Sequence, residues 1–271
     1  MEITQVEAPK KSISDKVYWH GYIPFYETFF AGREFTRIAE FGVYKGNSIR
    51  WLLERFPNSK IFGADLFLTF QSEWPTDARF EFTQLDQGDP SQIADFLKQD
   101  QFDLIIEDGS HIPQHQINCL LAGLKSLKSN GIYILEDIDT SLPGHVWWTS
   151  DMIRPRWWKF KKVKEYKKLK AQVEVGNAFH ALISLQHFQR INVKVNDEIA
   201  NKIAENSLLT KNQILFLSES IKQVHFYRRS HLPDWCHQCG SEIYNFSQLK
   251  CICGQEVFSN ATSMSFVLIK R

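Results

Sequence analysis

The chain has 271 residues, 43% hydrophobic and 14% aromatic, which is enough to bury the core of one α/β domain plus an appendage and too apolar for a disordered chain. Lysine and arginine number 32 against 31 acids, so the formal net charge of +1 excludes a global field that would recruit nucleic acid or an anionic membrane. There is no transmembrane-length apolar run, and the first residues lack the short apolar core of a secretory signal, so the expected location is the cytoplasm, away from membranes.

In chain order, residues 17–32 are aromatic-rich with apolar positions near helical spacing and end on Gly32, which reads as a covering helix. A short strand at 37–40 leads into a glycine-bearing loop at 41–47 and a helix that opens near Asn47 or Ser48, with Pro57 beyond its end. The strand KIFGAD stops at Asp65, another at 80–85 stops at Asp86, and a helix follows at 90–99. Two apolar runs come next, Phe102 to Asp108 and Gly131 to Asp137, each ending on a Glu-Asp pair, with a helix at 113–129 between them. Strict alternation of strand and helix predicts a Rossmann-like, doubly wound, mostly parallel sheet. Ligands bind outside the carboxyl ends of such strands, which lie about 4.8 Å apart, so the two Glu-Asp ends bring several carboxylates together and call for a cation.

After Asp137 the pattern loosens. Trp147-Trp148, Trp157-Trp158 and the lysine run from 159 to 170 suggest a lid or helical insertion, read either as a clamp for an anionic or carbohydrate acceptor or as a solvated amphipathic helix. Residues 171–187 and 198–221 mix strand and helix signals. Runs 221–229 and 264–271 read as an antiparallel hairpin at the sheet edge. Between them, Cys236-x-x-Cys239 and Cys251-x-Cys253 have the spacing of a tetrahedral Zn²⁺ ribbon, whose four filled positions favour a structural role. The domain expectation is a catalytic domain at 1–230, completed by a strand at 260–271, with a zinc ribbon inserted at 231–259.

The segment Glu40-Phe-Gly42-Val-Tyr-Lys-Gly46-Asn-Ser48 puts an acid before a glycine turn that enters a helix. It lacks the G-x-G-x-x-G phosphate turn, and Glu40 would repel a pyrophosphate, so S-adenosylmethionine (SAM), with its cationic sulfonium and ammonium groups, fits better than NAD. Asp65, at the next strand end, can hold ribose hydroxyls. Asp108, Glu136 and Asp137 suit Mg²⁺, which prefers oxygen ligands, and His111, three residues past Asp108, is placed to take a proton from a hydroxyl. Strand alternation turns Glu107 the opposite way from Asp108, out of the metal shell. Asp139 and Thr140 would support the centre or cap the segment after them, and His115 would sit on the exposed first turn of a helix.

Taken together, Asp15-Lys16, His20-x-Tyr22, Tyr26, Glu40-x-Gly42-x-x-x-Gly46-x-Ser48, Asp65, Asp86-Gln87-x-Asp89, Asp108-Gly-Ser-His111 and Glu136-Asp137 resemble the metal-dependent SAM O-methyltransferases that modify antibiotic sugars, the mycinamicin and macrocin O-methyltransferases. The resemblance covers roughly residues 15–140, echoes weakly in the terminal hairpin and does not include the cysteine ribbon. It implies the class I SAM methyltransferase fold. It also implies that Glu40, Gly42 and Gly46 line the methionine part of SAM, that Asp65 holds the ribose, and that Asp86 and Gln87 lie near the adenine; Tyr22, like His20 and Tyr26, matches less specifically and either joins the cofactor side or packs the N-terminal helix. By the same resemblance, Asp108, Glu136 and Asp137 hold the metal and His111 deprotonates the acceptor. The expected activity is Mg²⁺-assisted methyl transfer to a hydroxyl of a sugar or glycosylated small molecule, with a homo-oligomer left open. The alternatives are an RNA or protein methyltransferase that reads its substrate through the ribbon and lysine run, or a noncatalytic SAM-binding subunit, which would have no need of Asp108, His111, Glu136 and Asp137.

Overall fold

The computed structural model describes residues 14–98, 101–142, 163–164, 166–168, 171, 178–258 and 263–271. Five apolar runs form parallel strands: β1 (Arg37–Phe41), β2 (Lys60–Asp65), β3 (Phe80–Gln84), β4 (Phe102–Glu107) and β5 (Leu127–Leu135). The hairpin strands β6 (Ile221–Arg228) and β9 (Met264–Lys270) pair with each other, and β9 closes antiparallel on β5, giving the order β3-β2-β1-β4-β5-β9-β6. Between the hairpin strands lies a separate two-stranded ribbon of β7 (Tyr244–Asn245) and β8 (Lys250–Cys251). The doubly wound sheet with its antiparallel terminal hairpin is therefore present.

Side chains alternate between two apolar layers, as the period of two requires. Ile38, Leu104, Ile106, Ile132 and Ile134 face helices α2 (Tyr22–Phe30) and α3 (Asn47–Arg55). Ala39, Phe41, Ile105, Tyr133 and Leu135 face α4 (Pro90–Leu97), α5 (Pro113–Ser126), α6 (Ala178–Arg190), α7 (Asp197–Ala204) and α8 (Lys211–Ser220). Cover on both faces explains why these strands read as unbroken apolar runs. A nine-residue helix such as α2 is marginal alone, but Tyr26 and Phe30 are fully buried, and each contributes about 2–3 kcal/mol on burial.

Three boundaries differ from the sequence reading. The expected helix at 17–32 is two pieces, α1 (Asp15–Tyr18) and α2, broken at Gly21 with φ +66°, where a Cβ would lie 2.8 Å from His231 Nε2. The helix expected at 113–129 stops at Ser126 because Leu127 already enters β5. Residues 178–190, 197–204 and 211–220, where signals were mixed, are helical. Trp147, Trp148, Trp157, Trp158 and most of the lysine run lie outside the described residues, while 163–164 and 166–168 are helical. Among the described residues, no helix is long and apolar enough to cross a membrane.

Strand register sets the site. Phe41 pairs with Glu107 and Glu107 with Leu135, and one step further Asp108 N donates to Phe41 O and Glu136 N to Glu107 O. The ends of β1, β4 and β5 are thus level, at the point where strand order reverses between β1 and β4.

Candidate active site

Over these strand ends opens a cavity of about 1120 Å³. One side is lined by Gly42 to Lys45, Asp65 and Asp86, the floor by Asp108, His111, Glu136 and Asp137, and the far rim by Lys16, Tyr18, His20 and His237.

On the loop side, Glu40 is fully buried and accepts from Ser48 Oγ at 2.5 Å through Oε1, while its Oε2 is buried with no hydrogen-bond partner among the described residues. Asp65 turns Oδ2 onto the N–H groups of Val43 and Tyr44, each at 2.9 Å, and Oδ1 onto Phe67 N at 3.0 Å. It therefore shapes the loop as well as facing the cavity. Gly42 has φ +94°, and a Cβ there would lie 2.0 Å from the carbonyl oxygen of Asp108. The glycine is demanded by this backbone contact between the loop and β4. Gly46 enters α3 at φ +74° and does not line the cavity.

Two of the expected cofactor residues are engaged by other partners. Tyr22 is fully buried behind the site and donates its hydroxyl to Asp137 Oδ1 at 2.6 Å and to Met264 O at 3.1 Å, so it supports the acidic centre and does not reach the cofactor side. Gln87 is at the cavity edge, but its amide works inward: Nε2 donates to Glu107 Oε1 at 2.7 Å and Oε1 accepts from Ser110 N at 2.7 Å. Asp86 remains on the cavity wall, with Oδ1 accepting from Gly88 N. Glu107 faces the opposite way from Asp108, into the other layer beside Gln87.

At the floor, ligand atoms of Asp108, His111 and Asp137 lie within 4.8 Å of one another. His111 Nε2 is 3.9 Å from Asp108 Oδ1 and 4.0 Å from Asp137 Oδ2. Both His111 (φ +54°) and Asp137 (φ +47°) hold the left-handed backbone that L-residues rarely adopt, a cost typical of functional centres. Thr140 secures the pair by donating its hydroxyl to the carbonyls of His111, at 3.1 Å, and Asp137, at 2.8 Å. Burial opposes the imidazolium, but Asp137, Asp108 and Glu107 outweigh it and raise the His111 pKa above the ordinary value. His115, expected on an exposed turn, is half-buried with Nδ1 2.9 Å from Ser110 Oγ.

Glu136 sits differently. Its Oε2 accepts from Lys16 Nζ at 2.6 Å, and the same ammonium donates to Asp108 Oδ2 at 2.5 Å and lies 3.6 Å from Glu40 Oε1. Lys16 is 1% exposed. Burial works against its charge, but Asp108, Glu136 and Glu40 hold its pKa well above the ordinary value. Burial in turn pushes Glu40 up to about 7, against the pull of Lys16 and Ser48, and also raises Asp108 and Glu136. Once ionised, three carboxyls outnumber the one ammonium, and Glu136 Oε1 is buried without a hydrogen-bond partner among the described residues. This donor set fits a hard divalent cation at Asp108 and Asp137 with Glu136 adjoining. The unsatisfied Glu40 Oε2 likewise fits a cationic amino group. Lys16 was visible in the sequence only as part of the Asp-Lys pair of the resemblance, with no role attached.

Glu107 provides a pH-dependent test. Burial pushes it up to about 7, against the pull of His111 and Gln87. An acid raised in the folded state costs nothing below the unfolded value near 4.3 and its full penalty above 7, roughly 4 kcal/mol at 1.36 kcal/mol per pH unit. Glu107→Gln, neutral and isosteric, is expected to stabilise the chain at pH 8 by about 1–3 kcal/mol, shrinking to a small fraction of that by pH 4.5. Urea unfolding at the two pH values checks this, and an equal effect at both would refute it.

In the ribbon, all four cysteine sulfurs lie within 4.8 Å of one another, with Cys236–Cys253 at 3.8 Å and Cys239–Cys251 at 3.5 Å. Sulfurs on a tetrahedral zinc, each about 2.3 Å from the metal, are about 3.8 Å apart, so the thiols fit Zn²⁺.

Residues 39–138 match the profile of a family described as a methyltransferase domain. With the doubly wound sheet, this defines the class of fold: the chain has the class I, Rossmann-like methyltransferase fold, and its residues 39–138 are similar to such domains. More particularly, it resembles the antibiotic-sugar O-methyltransferases. It is 29% identical over 137 residues to the 8-demethyl-8-(2-methoxy-alpha-L-rhamnosyl)-tetracenomycin-C 3'-O-methyltransferase of Streptomyces olivaceus, covering 47% of this chain and 35% of the relative. It is 30% identical over 136 residues to the mycinamicin VI 2''-O-methyltransferase of Micromonospora griseorubida, covering 45% and 32%. The matched segment thus spans about a third of these relatives. A solved methyltransferase from the mycinamycin biosynthetic pathway, in complex with Mg, SAH and mycinamycin VI, shares the fold with a TM-score of 0.50 at 19% identity, covering 92% of this chain and 50% of that one.

Proposed function

We propose that the protein is a SAM-dependent, Mg²⁺-assisted O-methyltransferase acting on a hydroxyl of a sugar or glycosylated small molecule. The observation that carries this reading is the convergence, in one cavity, of the Gly42–Lys45 loop and Asp65 with the Asp108, His111 and Asp137 cluster, with Glu40 buried just behind the loop. The methyltransferase-domain match and the names of the relatives support it.

When bound, SAM supplies an electrophilic methyl on a sulfonium, and the divalent cation supplies Lewis acidity toward an acceptor oxygen. The chain's own residues do the rest. Glu40 would supply negative charge toward the amino group of the donor from behind the loop, and Asp65, which holds the loop closed, would face the ribose. Asp108 and Asp137, with Glu136 beside them, would hold the cation. His111 Nε2 takes the acceptor's proton, with its backbone fixed by Thr140. Tyr22 orients Asp137. The reading places zinc at the four cysteines as a structural ion.

The test is incubation of the chain with SAM, Mg²⁺ and a panel of nucleotide sugars and glycosides, following S-adenosylhomocysteine. Methylation of at least one hydroxyl acceptor is expected, and it should cease when a chelator removes the divalent cation and resume when Mg²⁺ is returned. Full activity in protein verified to contain no divalent cation at the acidic centre would sink the metal assignment.

A further inference from the structure

The ribbon is bonded closely to the first helix. Tyr18 stacks on Trp235 with centroids 4.5 Å apart and planes 11° from parallel. Its hydroxyl lies 3.1 Å from His237 Nδ1, and its carbonyl accepts from Asp234 N at 2.9 Å. Trp19 packs with Cys236, Cys251 and Val257 in a small apolar cluster. Arg229, nearly buried, donates to the carbonyls of Trp19 and Val257 and lies over the Trp19 ring. His237 sits in the knuckle between Cys236 and Cys239, outside the thiol set, and lines the cavity.

Helix α1 has four residues and no stability of its own. Yet it carries Lys16 into the acidic centre, and the two aromatic residues just beyond Lys16, Tyr18 and Trp19, are held by the ribbon. We propose that the ribbon is a positioning device for the active cavity. Zinc at Cys236, Cys239, Cys251 and Cys253 orders the knuckle, Trp235 and His237 of the knuckle hold α1, and α1 delivers Lys16 to Asp108, Glu136 and Glu40. His237 is a positioning residue that acts through Tyr18. Linkage makes the coupling reciprocal: if zinc orders α1, loosening α1 weakens zinc.

The test uses the full chain loaded with zinc, with two readouts independent of turnover: amide exchange of residues 15–20 against β4 and β5 as internal reference, and zinc affinity by competition with a chromophoric chelator. In His237→Ala, zinc is retained and exchange of 15–20 rises about fivefold, the worth of one hydrogen bond, with β4 and β5 unchanged. His237→Asn, whose amide can meet the Tyr18 hydroxyl, restores the protection. Tyr18→Ala weakens zinc affinity by about tenfold through loss of the stack and the hydrogen bond. Cys253→Ser releases zinc and the protection of 15–20. Unchanged exchange in His237→Ala, or unchanged zinc affinity in Tyr18→Ala, overturns the proposal. So does a Cys253→Ser variant that exposes β4 and β5 while His237→Ala stays silent, because the ribbon would then be a staple for the whole fold. Methyl transfer enters none of these readouts, so the proposal and the proposed function can fail separately.

Discussion

Replacing Lys16 with methionine is expected to cost the chain about 3–5 kcal/mol at pH 8, the penalty for leaving buried carboxylates without their cation. The side chain keeps its length and loses its charge, while Asp108, Glu136 and Glu40 remain in place around it. Burial raises the pKa of all three acids, so they take up protons as pH falls and the need for a cation declines with them. The loss should therefore be largest above pH 7 and clearly smaller at pH 5.5. Millimolar Mg²⁺ should stabilise the variant more than the parent, because the metal enters a centre with one positive charge fewer. Urea unfolding at the two pH values, with and without Mg²⁺, is the measurement. A loss under 1 kcal/mol at pH 8, or one independent of pH, would show that Lys16 does not hold the centre together.

The second large effect concerns His111. Removing its ring should lower turnover by about 10²–10⁴-fold, the usual worth of a positioned base, while SAM affinity changes little, since Glu40 and the loop are untouched. Asparagine is the informative replacement. Position 111 has φ +54°, which asparagine tolerates better than alanine, and the Thr140 bond goes to the backbone carbonyl and survives the change. Calorimetry with SAM alongside a turnover assay separates the two quantities. A SAM affinity that collapsed together with turnover would remove His111 from the role of base.

Most of the sheet could be read from the chain because its strands are covered on both faces and therefore appear as short unbroken apolar runs ending on acids. The same logic placed Asp108 and Glu107 on opposite sides, since alternation along a strand is geometric and needs no partner. What escaped was contact between distant segments. Lys16 meets Asp108 across 92 positions and Glu136 across 120, and no local spacing announces such a pair. Tyr22 spends its hydroxyl on Asp137, 115 residues away, so an aromatic motif that could face the cofactor supports the acidic centre from behind. Residues 211–220 were ambiguous because the helix runs directly into β6 at Ile221 with no glycine or proline between them.

The 2.0 Å approach that any side chain at position 42 would make to the Asp108 carbonyl has a mechanical corollary. The glycine loop and the acidic centre touch backbone to backbone, so neither can shift without displacing the other. The opposite wall, formed by Tyr18, His20 and His237, comes from two segments that lie outside the fixed geometry of the strand ends. That wall is still tied to the floor, because Lys16, on the same helix as Tyr18, bonds Asp108 and Glu136, so remodelling it would disturb the acidic centre too.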